Sequence, residues 1–271
     1  MNRKKIVDLA IKSLIHEVSL YPKPGLVDPI DAGSHDDMDY YTFIDSCFAL
    51  SDGFNHYYKT GEQHQGDLPA LFKKIRIVGM QNEKAMFAAT QEINTHKGAN
   101  FMFGIIISLI AHLNNPNLHH LQEAIKIMTS GLVENELESL TEFKTHGEIM
   151  FEKYGYTGIR GEVESGIPHA FDIALPKIKE AHHYQLGLKQ ALLALIAHNN
   201  DSNMLKRGGI EGLKLGQQLA QQPYVDINLH LNNMNQKFKE KNLSPGGSAD
   251  LLAVAIFLYL YERELEKTSE Q

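Results

Sequence analysis

Apolar residues recur at intervals of three or four positions along almost the whole chain. Near the start, Val7, Ala10 and Leu14 would share one face of a helix. No segment shows the sustained alternation of apolar and polar residues that a half-buried strand requires. The pattern therefore predicts an all-α fold. After the opening helix, further helices are expected near residues 38–59, 68–93, 99–113, 118–131, 136–154, 165–181, 185–198, 209–221, 225–240 and 249–265.

Two of these stretches, Phe101 to Leu113 and Leu251 to Tyr261, are apolar around most of their circumference. A helix without a polar face is normally surrounded by other helices, so we expect both at the centre of the molecule. The polar segments between helices are too short to serve as interdomain linkers. The sequence thus predicts a single compact multi-helix domain over residues 1–271, with two central apolar helices and active-site loops between helices.

Charge and composition exclude several classes of partner. The chain of 271 residues has a net charge of -7, which argues against broad binding to nucleic acid or an anionic membrane. The apolar run from Leu251 to Tyr261 is shorter than the roughly 18 residues of a membrane span, and the start lacks the apolar stretch of a signal peptide. The single cysteine, Cys47, lies among apolar residues and is expected in the core. We predict a cytoplasmic protein with no nucleic-acid or membrane partner.

Glycine, proline and charged residues collect in short segments between the predicted helices. Segments of this kind on a rigid helical scaffold usually carry the binding groups. In the first of them, Pro22 and Pro24 hold the backbone extended on either side of Lys23 and so fix a cation in place. A helix stop with a solvated lysine is the simpler alternative.

The next segment crowds Asp36, Asp37 and Asp39 into the start of the second helix. An aspartate there can cap the helix and complement its dipole, but one cap needs only one aspartate. Three carboxylates so close together repel one another unless a cation lies between them. Plain capping and the binding of Mg²⁺ or substrate therefore both stay open.

A third segment places Lys97 and Gly98 directly before the apolar helix that begins near Phe101. The free N–H groups and positive potential of a helix N-terminus, together with a lysine and a close backbone approach, suit a phosphate. The sequence is not a Walker A loop, and a simply capped buried helix explains the spacing equally well.

The fourth segment, 158–168, alternates an arginine and two glutamates through a glycine-rich stretch. Arg160 could hold a phosphate through two parallel hydrogen bonds. Glu162 or Glu164 could act as a general base toward a hydroxyl. The alternative is an internal ion pair between arginine and glutamate that fastens the loop.

The last two segments are 201–209, which contains Asp201, Lys206 and Arg207, and 244–250, which ends in Asp250. The glycine pair of the second resembles a phosphate cradle, although its serines could act only as helix caps. Taken together, the segments supply several cations for an anion and several carboxylates for a metal or a proton. That mixture fits a polyphosphate carried with Mg²⁺. Motifs typical of zinc sites, serine hydrolases and dinucleotide-binding dehydrogenases are absent from the sequence.

The same segments, in the same order, resemble the triphosphoribosyl-dephospho-coenzyme A synthase family over residues 15–262. The motifs that carry the resemblance are Pro22–Asp28, His35–Asp39, Asn94–Gly98, Arg160–Glu162, Asn203 with Arg207–Gly209, and Ser244–Leu252. The resemblance implies an all-helical domain in which the 2'-hydroxyl of dephospho-coenzyme A attacks C1' of the ATP ribose and expels adenine. It implies a product used as the prosthetic-group precursor of citrate lyase, and possible contact with the downstream carrier-protein transferase.

Residue roles follow from the resemblance as expectations. Phosphate contacts are expected from Lys23, Lys97, Gly98, Arg160, Lys206, Arg207, Gly246, Gly247 and Ser248. Magnesium ligands are expected at Asp36, Asp37 and Asp250, and the catalytic base at Glu164, Asp201 or Glu162. The chain departs from the family pattern at Ile159 and over 30–32.

Three competing functions stay open on the sequence. A near relative of the family performs the same chemistry for malonate decarboxylase. The same loops could support phosphoryl transfer or ATP hydrolysis, which would release ADP or phosphate. A protein that binds ATP without turnover is the alternative outside the enzymes.

Overall fold

Twelve α-helices and two short π-helical segments make up the regular structure of the described residues, which contain no β-strand. The structure is a computed structural model and describes residues 1–144 and 146–269. The helices are α1 (Arg3–Val18), α2 (Tyr40–Glu62), α3 (Leu68–Ala89), α4 (Lys97–His112), α5 (Leu118–Thr129), π1 (Glu134–Glu138), α6 (His146–Tyr154), α7 (Gly158–Glu164), π2 (His169–Ala174), α8 (Leu175–Glu180), α9 (Tyr184–His198), α10 (Ser202–Ala220), α11 (Ile227–Glu240) and α12 (Gly246–Ser269). The all-α prediction is confirmed.

The two apolar stretches lie where the sequence predicts, at the centre of the helical assembly. Most of α4 is buried, and α12 packs against α1, α4, α8, α9 and α10. The rings of Phe103 and Phe257 join α4 to α12 edge to face, with centroids 5.5 Å apart. Side-chain burial of this extent is the main source of stability for a helical domain. In the described part of the chain, no helix combines the length and apolarity needed to cross a bilayer.

Aspartates fix the starts of several helices. The Asp39 carboxylate accepts a hydrogen bond from the backbone N–H of Thr42, whose hydroxyl completes a capping box at the start of α2. Asp67 caps α3 in the same way, through the N–H of Ala70. One of the three clustered carboxylates of the second segment is therefore a helix cap.

The helix boundaries differ from the expected ones between α5 and α9. The single helix expected over 136–154 does not form, because the chain makes the π1 turn and then an irregular stretch before α6. The glycine-rich segment that reads as a loop instead forms α7. Burial of Val163, whose carbonyl accepts a hydrogen bond from the Thr129 hydroxyl, holds α7 in place. Tertiary contacts thus override the weak local propensity of glycine.

The tenth helix also starts earlier than expected, at Ser202 and not near residue 209. Asp201 caps the N–H groups of Asn203 and Met204, which extends the helix toward the N-terminus. Gly209, with φ of 62° and ψ of -163°, breaks the helix axis into two segments. This bend requires glycine because other residues rarely adopt a positive φ.

Candidate active site

The segments that carry glycine and charge converge on one cavity of about 470 Å³, which we call the main cavity. Its walls come from residues that are far apart in the sequence, between Glu17 and Ala253. Of the residues expected at the site, those that line the main cavity are Lys23, Lys97, Gly98, Arg160, Glu162, Lys206, Arg207, Gly246, Gly247 and Asp250. The shared cavity is what a site for one large ligand requires.

Three long helices begin at the main cavity. The first residues of α4, α10 and α12 are Lys97, Ser202 and Gly246, and each lines the cavity. The N-terminus of an α-helix carries positive potential and unpaired backbone N–H groups. Three such ends around one space create a site that favours a polyanion, even within an acidic protein.

The basic side chains of the main cavity differ in whether they form ion pairs with carboxylates of the protein. Lys97 Nζ lies 2.5 Å from Glu83, and Arg160 Nε donates to Glu136 over 2.9 Å. Lys206 is exposed at the rim and makes no ion pair among the described residues. The ion pair considered for Arg160 therefore exists, although its partners, Glu136 on π1 and Glu148 on α6, lie outside α7.

Arg207 fastens the loop before α2 to the end of α11. Its guanidinium donates to the Ser34 carbonyl over 2.7 Å and to the Asn242 side chain over 2.8 Å. A third contact joins it to Nδ1 of His35 over 3.1 Å, and Nε2 of the same ring lies 2.9 Å from the Ser244 hydroxyl. Burial and the nearby Arg207 charge lower the pKa of His35. The neutral ring can accept from Arg207 at Nδ1 and donate to Ser244 at Nε2.

Lys23 is almost fully buried, with 2% of its surface exposed, and its Nζ lies 2.6 Å from Glu17 Oε1. Both residues line the main cavity. Burial raises the pKa of Glu17 against the opposing effect of the lysine. Loss of either partner would leave an uncompensated buried charge, which typically costs about 3–5 kcal/mol of stability.

Two further carboxylates face the main cavity. Glu162 Oε1 accepts from the backbone N–H of His169 over 2.9 Å, and Oε2 lies 2.6 Å from Nδ1 of the same residue. This hydrogen bond raises the pKa of His169. Asp250 accepts from the N–H of Ala99, and burial followed by the negative charge of Glu17 raises its pKa well above the usual range.

Gly98, in the first turn of α4, lies directly against the Asp250 carboxylate. A Cβ atom at this position would overlap the Asp250 carboxylate and would lie 3.4 Å from Ile159 Cδ1. The absence of a side chain thus lets the carboxylate reach the backbone at the start of α4. This close approach explains why glycine occupies the position.

Asp201, Ser248 and Glu164 do not line the main cavity. Asp201 is 1% exposed, and its Oδ2 accepts from both the backbone N–H and the hydroxyl of Ser248, over 2.8 and 3.0 Å. Glu164 accepts from the backbone N–H groups of Gly131 and Val133, which joins α7 to the turn after α5. In this geometry the three side chains position backbone around the cavity.

Comparison with known proteins identifies the family of the chain. A family model described as CitG: ATP:dephospho-CoA triphosphoribosyl transferase matches residues 3–269. The chain belongs to this family. A probable 2-(5''-triphosphoribosyl)-3'-dephosphocoenzyme-A synthase of Photobacterium profundum is 40% identical to it, over 94% of this chain and 87% of the relative. The resemblance drawn from the motifs is confirmed.

Other relatives extend the match. The 2-(5''-triphosphoribosyl)-3'-dephosphocoenzyme-A synthase of Pectobacterium atrosepticum is also 40% identical, over 93% of this chain and 87% of its own. Protein CitXG of Leuconostoc mesenteroides subsp. cremoris is 38% identical over 95% of this chain, which covers 59% of that longer protein. No solved structure matches the chain.

The carboxylates of this CitG-family chain fit a magnesium ion shared with phosphate. Asp250 and Glu162 line the main cavity, whereas Asp36 and Asp37 are exposed and lie outside its lining. Within residues 1–144 and 146–269, no group of three or more histidine, cysteine or carboxylate side chains is arranged to hold a metal alone. Mg²⁺ is commonly held by one or two carboxylates together with substrate phosphates and water. Asp250 therefore fits such an ion, while a role for Asp36 and Asp37 stays a prediction.

Sequence reasoning assigns no role to Glu17, His35 or His96, which all line the main cavity. Glu17 carries a detectable signal, because it is a charged residue on the buried and mostly apolar face of α1. His35 and His96 lie inside motifs that carry the resemblance. Their proximity to the other groups is visible only in the folded chain.

A second cavity, of about 270 Å³, adjoins the main cavity. Lys97, Gly98, Ile159 and Arg160 line both, so they form the partition between the two spaces. The remaining walls are mainly apolar and come from α2, α3 and α4. They comprise Tyr57, Ile75, Arg76, Gly79, Met80, Glu83, Asn100, Phe101 and Gly104.

We predict that Asp250→Asn changes how stability depends on pH. The folded-state pKa of Asp250 lies above its unfolded value of 3.8, so the native protein binds the extra proton. The contribution of this group to stability is present below about pH 4 and is lost as the pH rises through the folded-state pKa. Without Mg²⁺ or nucleotide, the free energy of unfolding of the variant should therefore rise relative to the wild type as the pH is raised above about 4. Urea unfolding at each pH tests this, and a constant difference would contradict it.

Proposed function

We propose that the chain transfers the 5-triphosphoribosyl group of ATP to the 2'-hydroxyl of 3'-dephospho-coenzyme A and releases adenine. The product is 2'-(5''-triphosphoribosyl)-3'-dephospho-coenzyme A, the prosthetic-group precursor of the citrate lyase acyl carrier protein. The supporting observation is that three helix N-termini and basic side chains of distant segments open into one cavity. The names of the relatives support the same reaction.

The chemistry explains why such a site needs no phosphoryl-transfer motif. The bond between C1' and N9 of adenosine breaks, and its electron pair leaves with the purine. A bond forms between C1' and the 2'-oxygen of the acceptor, whose proton passes to a base. All three phosphates stay on the transferred sugar, so they serve to bind the substrate and take no part in the bond changes. A positive cavity that grips a polyphosphate, with a carboxylate near the sugar, meets these needs.

Glu162 is the best candidate for the base. It lines the main cavity, whereas Asp201 and Glu164 lie outside the lining. The contact with His169 fixes the orientation of its carboxylate. A carboxylate held by a partner in this way is positioned to receive a proton without searching for its geometry.

We assign the binding of the three phosphates to the cations and helix N-termini of the main cavity. Lys206 has no ion pair among the described residues and is exposed at the rim, so its charge is available to phosphate. Gly246 and Gly247 bring the backbone of α12 to the cavity without a side chain. Asp250 would hold Mg²⁺, which when bound neutralises phosphate charge.

The reaction is tested by product analysis. The pure protein is incubated with Mg²⁺, ATP and dephospho-coenzyme A, and the products are separated by chromatography with mass detection. Free adenine and a heavier coenzyme A adduct are expected in equal amounts. Release of ADP or phosphate would indicate phosphoryl transfer or hydrolysis, and unchanged ATP would indicate binding without turnover.

The assignment of the base predicts different effects for two neighbouring glutamates on α7. Glu162→Gln should lower kcat by about 100-fold or more, because a general base typically contributes 10²–10⁴-fold. Its thermal midpoint should fall less than that of Glu164→Gln. Glu164→Gln is the matched control. It should lower the thermal midpoint more than Glu162→Gln does, because it weakens the contacts with Gly131 and Val133, and it should lower kcat less. Steady-state adenine release and thermal unfolding give the two measurements, and the reverse pattern would contradict the assignment.

We further assign the adenosine end of dephospho-coenzyme A to the second cavity. The acceptor hydroxyl must reach the ATP sugar, so its site must adjoin the main cavity, and the second cavity shares a partition with it. Its walls include the ring of Phe101, with the Arg76 guanidinium 5.3 Å from the ring centroid. Apolar and aromatic walls with a few polar groups are typical of a site for a nucleotide base.

This assignment predicts a selective effect of Met80→Trp. Met80 lines the second cavity and is 58% exposed, whereas Ile77, on the same helix, is 57% exposed and lies outside both linings. A bulky ring at position 80 should raise KM for dephospho-coenzyme A about tenfold, since steric overlap typically costs about 1–3 kcal/mol. KM for ATP should stay nearly unchanged. Ile77→Trp is the control and should alter neither constant, and a rise in KM for ATP alone would contradict the assignment.

A cytoplasmic location and direct contact with the downstream carrier-protein transferase also remain part of this proposal. They follow from the family resemblance and from the sequence. A tagged chain recovered with that transferase from its own cell extract would support the contact.

A further inference from the structure

In the part of the chain that the structure describes, one buried side-chain atom of a residue that lines the main cavity has no hydrogen-bond partner. His96 is 3% exposed and lines the cavity, and its Nε2 contacts no donor or acceptor within the described residues. Nearly all buried polar groups in folded proteins are paired, because an unpaired one loses its hydration without compensation. An unpaired ring nitrogen on a residue that lines a ligand cavity therefore points to a contact that the ligand completes.

The hydrogen bonds on the other side of the ring assign its tautomer. The Thr95 hydroxyl donates to the Ser46 hydroxyl over 2.6 Å, and Ser46 Oγ lies 2.8 Å from His96 Nδ1. Ser46 is fully buried and has no other acceptor among the described residues, so its single hydrogen is directed to Nδ1. Nδ1 is then the acceptor, and the ring proton is on Nε2.

The ring is also neutral at physiological pH. Burial, together with the nearby charge of Lys23, lowers the pKa of His96 to about 3. The unpaired Nε2–H is therefore a donor without a formal charge. A neutral imidazole can polarise a developing anion and keep its own proton.

The surroundings of His96 suit a purine. The Phe43 ring meets the imidazole edge to face, with centroids 5.0 Å apart, and Phe43 also lines the main cavity. Val27 and Met38 add apolar surface to the same lining. Apolar walls with one directed donor are typical of a site that binds and orients a heteroaromatic ring.

We propose that His96 Nε2–H donates a hydrogen bond to N3 or N7 of the departing adenine, which makes His96 a catalytic residue. The inference rests on the proposed transfer reaction. As the bond between C1' and N9 breaks, its electron pair spreads over the purine, and N3 and N7 gain negative charge. The donor stabilises this charge without giving up its proton. The 2'-hydroxyl proton goes to Glu162, and the released purine takes a proton from water.

The first test compares a variant that removes the hydrogen-bond donor of His96 with a variant that keeps one. His96→Leu should lower kcat for adenine release about 100-fold, since a lost donor to a developing anion typically costs 10²–10³. KM for ATP should change little, because the contact strengthens only as charge develops. His96→Gln keeps an N–H donor and should recover at least about tenfold of the loss. His64→Leu is the control, because His64 is a buried histidine outside the lining, and its kcat should stay unchanged.

The second test removes the acceptor from the substrate. 7-Deaza-ATP lacks the N7 acceptor and 3-deaza-ATP lacks N3, so each deletes one possible contact. With one of the two analogues, the wild type and His96→Leu should react at similar rates, because the contact is already gone. If His96→Leu slows both analogues as much as it slows ATP, the donor does not act on the purine and the inference is overturned.

These measurements separate this inference from the proposed function. If the wild type releases no adenine, the transfer reaction itself is wrong. If the wild type releases adenine and folded His96→Leu does so at the same rate, only the role of His96 is refuted. Thermal unfolding of each variant shows whether a loss of activity reflects a loss of fold.

Discussion

The geometry of the main cavity depends on one buried carboxylate that joins the starts of two helices. Oδ1 of Asp201 accepts from the first backbone N–H groups of α10, and Oδ2 accepts from Ser248 in the first turn of α12. Burial raises the pKa of Asp201 despite these hydrogen bonds. Because each carboxylate oxygen is committed to a different helix, the two N-termini are held in register around the same space.

The charge of the cavity is organised around this frame. The protein carries a net charge of -7, yet three helix ends and several basic side chains meet in one place. Local placement, and not the overall charge, therefore decides which ligand the site favours. Carboxylates on neighbouring helices hold Lys97 and Arg160 in place before a ligand arrives. Such preorganisation lowers the ordering entropy that binding would otherwise cost.

The same arrangement divides the predicted site residues into two groups. Lys206, Glu162 and Asp250 face the main cavity, so they are available for contact with a ligand. Asp201 and Glu164 accept hydrogen bonds from backbone at helix starts and turns, which suits positioning. Sequence spacing cannot separate these groups, because a carboxylate beside a glycine-rich turn looks the same whether it caps a helix or faces a cavity.

The all-α class, the central position of α4 and α12, the family, and the segments that build the site can all be recognised from the amino-acid sequence alone. These follow from periodicity, from apolar circumference and from ordered motifs, which are local properties of the chain. Three features become visible only in the folded chain: residues 158–164 form a helix, Arg160 pairs with Glu136, and Nε2 of His96 has no hydrogen-bond partner among the described residues. Each of these depends on contacts between segments far apart in sequence, and such contacts outweigh local propensity once side chains are buried.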